Sequence, residues 1–494
     1  MASVVVIGAG VGGIAAAARL ARRGHQVTVL EKGSRAGGRC DRLVRDGHYF
    51  DTGPTLYLMP GLIAETFADL GERVEDHLDL HRVDPSYRLH FGDGSSVVLS
   101  SDLNAMRAQL EVLEPGSTRG FLRYLDEGRR HYQLAMAHII RRGFNTPFEF
   151  FTPKNGLLLL RLKGLVRHYA NAGRYFGDPR LRIAFTFQDM YMGLNPYDAP
   201  ATYSMLQYAE LADGVWFPAG GMYRLVEALV RVAEEHGVRF EYDAPVERID
   251  VEGRHATGVT LADGRRLVAD LVVANADLSY VYRRLLTDSG VARRIDRKAY
   301  TCSAITFCWG VDKRYRQLGA HNLFIAADFR RSMKRIFEDR TLPDDPSFYV
   351  NAPTRIDPSL APEGQDSLTV VVPVGHVADA ADQDWPALCD QARMLVLRRL
   401  AGAGATDLEA HIKFEVSYTP PDWQSRYNLT RGASHGLSHT ITQLGYLRPR
   451  NRHARYHNLY FVGTSTHPGT GLPSVLISAR LADERIQADR REGR

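Results

Sequence analysis

The chain has 494 residues, 44% apolar and 24% charged, with a formal net charge of +5, which is enough for two or three domains and a sizeable core. No Lys/Arg block is interleaved with aromatics, which argues against a nucleic-acid partner. Cys40, Cys302, Cys308 and Cys389 lack zinc or redox spacing, no metal site is expected, and without a signal-like start or an apolar run long enough to cross a bilayer the expectation is a cytoplasmic chain with reduced thiols.

In chain order, SVVVI (3 to 7) is a β-branched run suited to a buried parallel strand. It leads into Gly8-Ala9-Gly10-Val11-Gly12-Gly13 and an alanine-rich helix to about Arg23. This is G-x-G-x-x-G in its required setting: Gly8 for the tight turn, Gly10 for close approach of a pyrophosphate, Gly13 for packing helix on strand. A second strand, Gln26 to Leu30, ends in Glu31, whose carboxylate suits ribose hydroxyls and disfavours a 2′-phosphate. Lys32 and a second glycine pair with an arginine, Gly37-Gly38-Arg39, follow, and then Tyr49 to Pro54 and Thr55. Amides and a guanidinium placed there can hold the same pyrophosphate from its other side, as an extended dinucleotide requires.

Further along, LLLLRLKGLVRHYANAGRYF (157 to 176) predicts one helix with Leu158, Leu162, Leu165, Val166 and Tyr169 on a common face. Residues 141 to 182 carry nine Lys/Arg against Glu149 and Asp178. A basic amphipathic segment of this kind suits the surface of an anionic membrane, or else packs its apolar face into the core. In GDPRLRIAF, Asp178 before Pro179 reads as a helix N-cap. Pro218 to Met222 opens a helix to about Glu235, followed by a strand through Val246, a hairpin around Asp263-Gly264, and LVVANAD at 271 to 277. Near the end, a strand from Leu459 to Val462 leads through Gly463 and THPGTGLPSV into a final helix. A glycine-lined helix N-terminus presents unpaired amides to an electron-rich ligand.

The GGR element after the first βαβ unit resembles the flavoprotein family that includes amine oxidases and carotenoid desaturases. FDTGPTLYLMP (50 to 60), the stretch 185 to 221, YVNAPTRIDPSLAPEG (349 to 364) and the stretch 447 to 475 resemble bacterial and fungal phytoene desaturases, and together they sample almost the whole chain. The resemblance implies an α/β fold: a Rossmann-like FAD-binding domain assembled from discontinuous segments (1–80, 215–290, 440–494), a mixed-sheet substrate domain (81–105, 291–439), and a helical membrane-facing lid (106–214). It implies non-covalent FAD held by Gly8, Gly10, Gly12, Gly13, Glu31, Lys32, Gly38, Arg39, Gly53, Pro54, Thr55, Val246, Asn275 and Gly463. Gly471, Leu472, Pro473, Ser474 and Val475 would face the isoalloxazine.

The activity it implies is desaturation of phytoene or a related polyene at a membrane surface, by hydride transfer to flavin and loss of a proton, with oxygen or a quinone as electron acceptor. The flavin itself is the expected catalyst, and Asp178 with Arg182 matches a charged pair of the desaturase pattern. His467 is expected to be a turn histidine bonded to backbone. Saturation, isomerisation or terminal oxygenation of an isoprenoid polyene stays open beside this, with an amine oxidase or a non-catalytic prenyl-binding protein further off.

Overall fold

The computed structural model describes residues 1–377 and 383–492. Residues 378–382 of the expected substrate domain and 493–494 of the expected last FAD segment lie outside the described residues. The β-branched run Ser3–Ile7 is the middle strand of a parallel five-stranded sheet. The order is Leu459–Phe461, Leu271–Ala274, Ser3–Ile7, Gln26–Leu30, Arg239–Glu241. Because side chains alternate along a strand, this sheet feeds two cores. Val4 and Val6 pack toward the helices Val11–Arg22, Tyr223–Glu235 and Leu472–Arg491. Val5 and Ile7 face a three-stranded antiparallel sheet, Val246–Glu252, His255–Leu261 and Arg266–Val268. Full burial of each such aliphatic side chain contributes about 1.5–3 kcal/mol.

A seven-stranded sheet forms the other half, in the order Ile412–Tyr418, Ser303–Val311, Asp366–Val374, Phe348–Asn351, His321–Phe324, Tyr87–His90, Ser96–Leu99. Its pairings are antiparallel except between His321–Phe324 and Tyr87–His90. Leu80–Val83 stays out of this sheet and pairs with Val215–Pro218. The chain is thus a mixed α/β protein whose two largest sheets are built from interleaved segments.

Residues 103 to 212 are mostly helical, and here the sequence expectation is corrected. The single helix expected over 157 to 176 is two, Pro153–Arg161 and His168–Ala172. Lys163 sits at φ 50°, and Gly164 packs where a Cβ would lie 2.5 Å from Leu159 Cδ1. The break turns Lys163 inward to pair with Glu127. The Glu127 carboxylate also accepts from Asn171 Nδ2 (2.6 Å) and Tyr175 OH (2.8 Å). Of the residues expected on one apolar face, Leu158 and Leu162 are buried while Leu165 is 69% exposed.

Candidate functional site

The first strand ends where Gly8 donates its amide to Leu30 O (2.7 Å) and turns at φ 94°. From there the chain enters the helix Val11–Arg22, capped at Gly10 by no side chain, so the opening amides face outward. A Cβ on Gly13 would stand 2.2 Å from Gly8 O, closer than any carbon can approach. Asn275, at the end of the neighbouring strand, is the hub of this turn. Its amide nitrogen donates to Gly8 O (3.2 Å) and Gly10 O (3.4 Å). A Cβ on Gly10, Gly12, Gly13 or Gly463 would lie within about 3 Å of its side chain.

The second glycine pair lies directly against the first. Gly37 donates to Ala9 O (2.8 Å) and bridges Gly10, and a Cβ on Gly38 would be 3.2 Å from Gly10 Cα. Glu31 accepts from Ala9 N through one oxygen and from Gly33 N through the other, both at 2.8 Å. Each oxygen keeps a second lone pair for a hydroxyl. Backbone bonds Glu31 N to Glu241 O and Ala244 N to Glu31 O draw the chain leading to Val246 beside it. Lys32 reaches the Ser425 carbonyl (3.2 Å).

Arg39 follows the glycine pair and is held by neutral partners. It donates to Ser434 O (2.9 Å) and to Thr464 Oγ1, and among the described residues no carboxylate forms an ion pair with it. Burial pushes its guanidinium below the ordinary value, opposed by the field of Asp277. A partly buried cation with open donors beside two glycine turns fits a pyrophosphate. Gly53 packs on the Arg39 carbonyl, where a Cβ would lie 1.8 Å away. After Pro54, Thr55 Oγ1 meets Tyr349 OH at 2.8 Å.

The C-terminal turn closes the same region. Gly463 turns at φ 99° against the Asn275 side chain, and Gly471, at φ 100°, caps the helix Leu472–Arg491 without a side-chain partner. Val475 N closes the first turn on Gly471 O (3.0 Å), and Pro473 has no N–H. The expected row of five amides therefore reduces to Gly471, Leu472 and Ser474. His467 Nε2 donates to the carbonyls of Arg142 (2.9 Å) and Ile139 (3.1 Å), a backbone-bonded turn histidine. Thr470 N donates to His439 Nε2 (3.1 Å). Burial holds His435 and His467 down at about 4 and His439 well below its ordinary value, so all three imidazoles are neutral at pH 7.

Asp178 and Arg182 are not brought together as a pair. Asp178 caps the helix Pro179–Ala184 through Arg180 N (2.7 Å) and forms its ion pair with Arg180 (2.6 Å). Arg182 donates to the carbonyls of Phe176 (2.8 Å) and Gly177 (3.0 Å). The residue that sequence reasoning missed is Arg448. It is fully buried and donates to the carbonyls of Leu437, Ser438, Thr464 and Thr466, which ties the 434–439 loop to the C-terminal turn. One arginine in an arginine-rich stretch carries no local signal of that role.

Comparison with known proteins places the chain among flavoproteins. A family profile described as flavin containing amine oxidoreductase matches residues 11–487. A zeta-carotene-forming phytoene desaturase of Myxococcus xanthus is 47% identical over 485 residues, covering 98% of this chain and 93% of its own. A phytoene desaturase of Fusarium fujikuroi is 41% identical, covering 99% and 89%. Among solved structures, a putrescine oxidase superposes with a TM-score of 0.65 at 17% identity, covering 99% of each chain, a likeness of fold.

Proposed function

This chain belongs to the flavin containing amine oxidoreductase family, and from that premise we propose that it is an FAD-dependent desaturase of phytoene or a related carotenoid. The observation that carries the choice of substrate is near full-length likeness to carotenoid desaturases of bacteria and fungi. The likeness is distributed over both sheets and is not confined to the nucleotide turn.

FAD, when bound, accepts the hydride taken from an allylic carbon. The chain's part is to hold and to exclude. The turns at Gly8–Gly13 and Gly37–Gly38 let backbone amides reach the pyrophosphate, with Arg39 supplying the positive charge. Glu31 would take the ribose hydroxyls, and Val246 would lie by the adenine. Gly471, Leu472 and Ser474 offer N–H groups at a positive helix end to the flavin's electron-rich edge. His435, His439 and His467 stay neutral, and the engagement of His467 with two carbonyls supports a non-covalent cofactor. A site that excludes water protects a substrate carbon from which hydride is leaving until the neighbouring proton is lost.

The segments 1–80, 215–290 and 440–494 form a Rossmann-like FAD domain in this reading, supported by the five parallel strands they contribute. Segments 81–105 and 291–439 supply the substrate domain, whose sheet reaches Thr55 through Tyr349. Residues 106–214 face the membrane that dissolves the substrate. Phe148, Phe151, Leu157, Leu160 and Leu165 are all exposed there, among exposed Lys154, Arg161 and Arg167. No described helix is long and apolar enough to cross a bilayer. No second G-x-G-x-x-G follows the first, which supports oxygen or a membrane quinone as acceptor.

The test is incubation of FAD-loaded protein with phytoene in liposomes, with the visible spectrum of the extracted lipid followed over time. Structured bands that move to longer wavelength are the expected result. Unchanged phytoene under both oxygen and quinone would overturn the assignment.

A further inference from the structure

The exposed aromatic corner of the helical region sits on a pocket that its apolar character does not explain. The short helix Pro147–Phe150 carries Phe148, 86% exposed, and is followed by exposed Phe151. It is anchored from below: Phe150 packs T-shaped on Phe144 at 5.0 Å and against the backbone of Gly445, while Phe151 meets Tyr446 at 6.2 Å. Phe144 and Tyr446 also line a cavity of about 140 Å³. At the ~30 Å³ that each molecule takes in liquid water, it has room for a group of about five heavy atoms.

Four arginines are among the residues that line that cavity, Arg448, Arg450, Arg452 and Arg485. Arg448 is committed to carbonyls, and Arg452 and Arg485 share the carboxylate of Asp489 at 3.1 and 2.7 Å. Arg450 has neutral partners: Asn145 O (3.3 Å), Tyr446 OH (2.7 Å) and the Tyr446 ring face (4.8 Å). One carboxylate among four arginines leaves the cavity strongly positive. An arginine fork matches a phosphate oxygen pair, and Phe144 and Tyr446 join the cavity to the exposed aromatic corner through Phe150 and Phe151.

We propose that this pocket takes the phosphate of an anionic phospholipid while Phe148 and Phe151 enter the adjoining apolar layer, so that the chain recognises a headgroup as well as a hydrocarbon surface. The inference rests on the membrane reading above.

The experiment sediments the FAD-loaded full chain with phosphatidylcholine vesicles and with vesicles in which one third of the lipid is phosphatidylglycerol. Wild type binds the anionic vesicles at least about fivefold more tightly. Arg450→Gln loses that increment while keeping its flavin and its phosphatidylcholine binding. The double variant Phe148→Ser/Phe151→Ser weakens binding to both vesicle types. Arg161→Gln, which removes an exposed charge outside the pocket, loses less than half the increment, and millimolar inorganic phosphate does not compete.

If Arg161→Gln costs as much as Arg450→Gln, the attraction is diffuse charge and the pocket proposal falls. Competition by inorganic phosphate would make this a site for free phosphate and would also overturn it. Equal wild-type binding to both vesicle types refutes the pocket and leaves the membrane reading standing. Binding to neither refutes both.

Discussion

The glycine cradle around Asn275 and the helical region before residue 214 are held together by opposite means. In the cradle the determinants are backbone atoms and missing Cβ atoms: Gly8, Gly10, Gly13 and Gly38 approach one another more closely than side chains permit. In the helical region the determinants are buried ionisable side chains. Glu127 is fixed by Lys163, Asn171 and Tyr175, and Glu210 is held between Tyr87 OH and Gln188 Nε2, each at 3.2 Å. The first kind of site tolerates changes of pH and not of volume. The second tolerates small changes of volume and not of ionisation.

The largest effect follows from adding one carbon to the cradle. Gly13→Ala places a Cβ 2.2 Å from the Gly8 carbonyl, and overpacking of about 1–3 kcal/mol corresponds to roughly five- to 150-fold weaker FAD retention. The flavin-to-protein absorbance ratio after gel filtration measures it. Undiminished flavin would show that the helix can move away from the strand at little cost.

Next comes the buried pair of the helical region. Glu127→Gln leaves Lys163 without its carboxylate and costs roughly 3 kcal/mol, at the lower end for buried pairs because Lys163 is partly exposed. In wild type, burial raises the Glu127 pKa, but its bonds to Lys163, Asn171 and Tyr175 outweigh that and bring it below its ordinary 4.5. Its contribution is therefore complete above pH 4.5 and is lost as pH falls through the lower folded value. Amide protection factors over Ser117–Ala135, which correct for the pH dependence of intrinsic exchange, fall on acidification in wild type, and in Glu127→Gln they are low at both ends of the range.

Glu210 has the opposite sign. Burial raises it from 4.5 to about 8, so the fold favours its protonated form. The stability it confers is complete below pH 4.5 and declines as pH rises toward 8. Between pH 6 and pH 9 the wild-type Tm drops by a few degrees, and Glu210→Gln flattens that slope. An unchanged slope would place the alkaline sensitivity elsewhere.

The smallest effects belong to the pair that matched the desaturase pattern. Asp178→Ala removes an N-cap and costs about 1 kcal/mol of stability. Arg182→Gln alters turnover by less than about twofold, the range of surface changes away from a site. Loss of turnover in Arg182→Gln with unchanged flavin content would return that residue to the chemistry.

What was legible in the sequence were demands made by local backbone. The strand, the G-x-G-x-x-G turn, Glu31 and the glycines before the last helix each lie within a few residues of the structure they dictate. The stretch 157 to 176 was read as one helix straight through Gly164, because the turn at Lys163 is fixed by Glu127, 36 residues earlier. Asn275 as the hub and Arg448 as the clamp were illegible in the same way. Each is one polar residue whose partners come from distant segments of chain, so no period or spacing announces them.

The most direct measurement of the central claim is anaerobic mixing of FAD-loaded protein with phytoene-containing liposomes, following flavin absorbance while product is extracted. The account predicts that the oxidised flavin bleaches and that new carotenoid double bonds appear in equal number to flavin consumed. Flavin that stays oxidised while the polyene changes, or a polyene that is unchanged while wild-type flavin is fully bound, would contradict it.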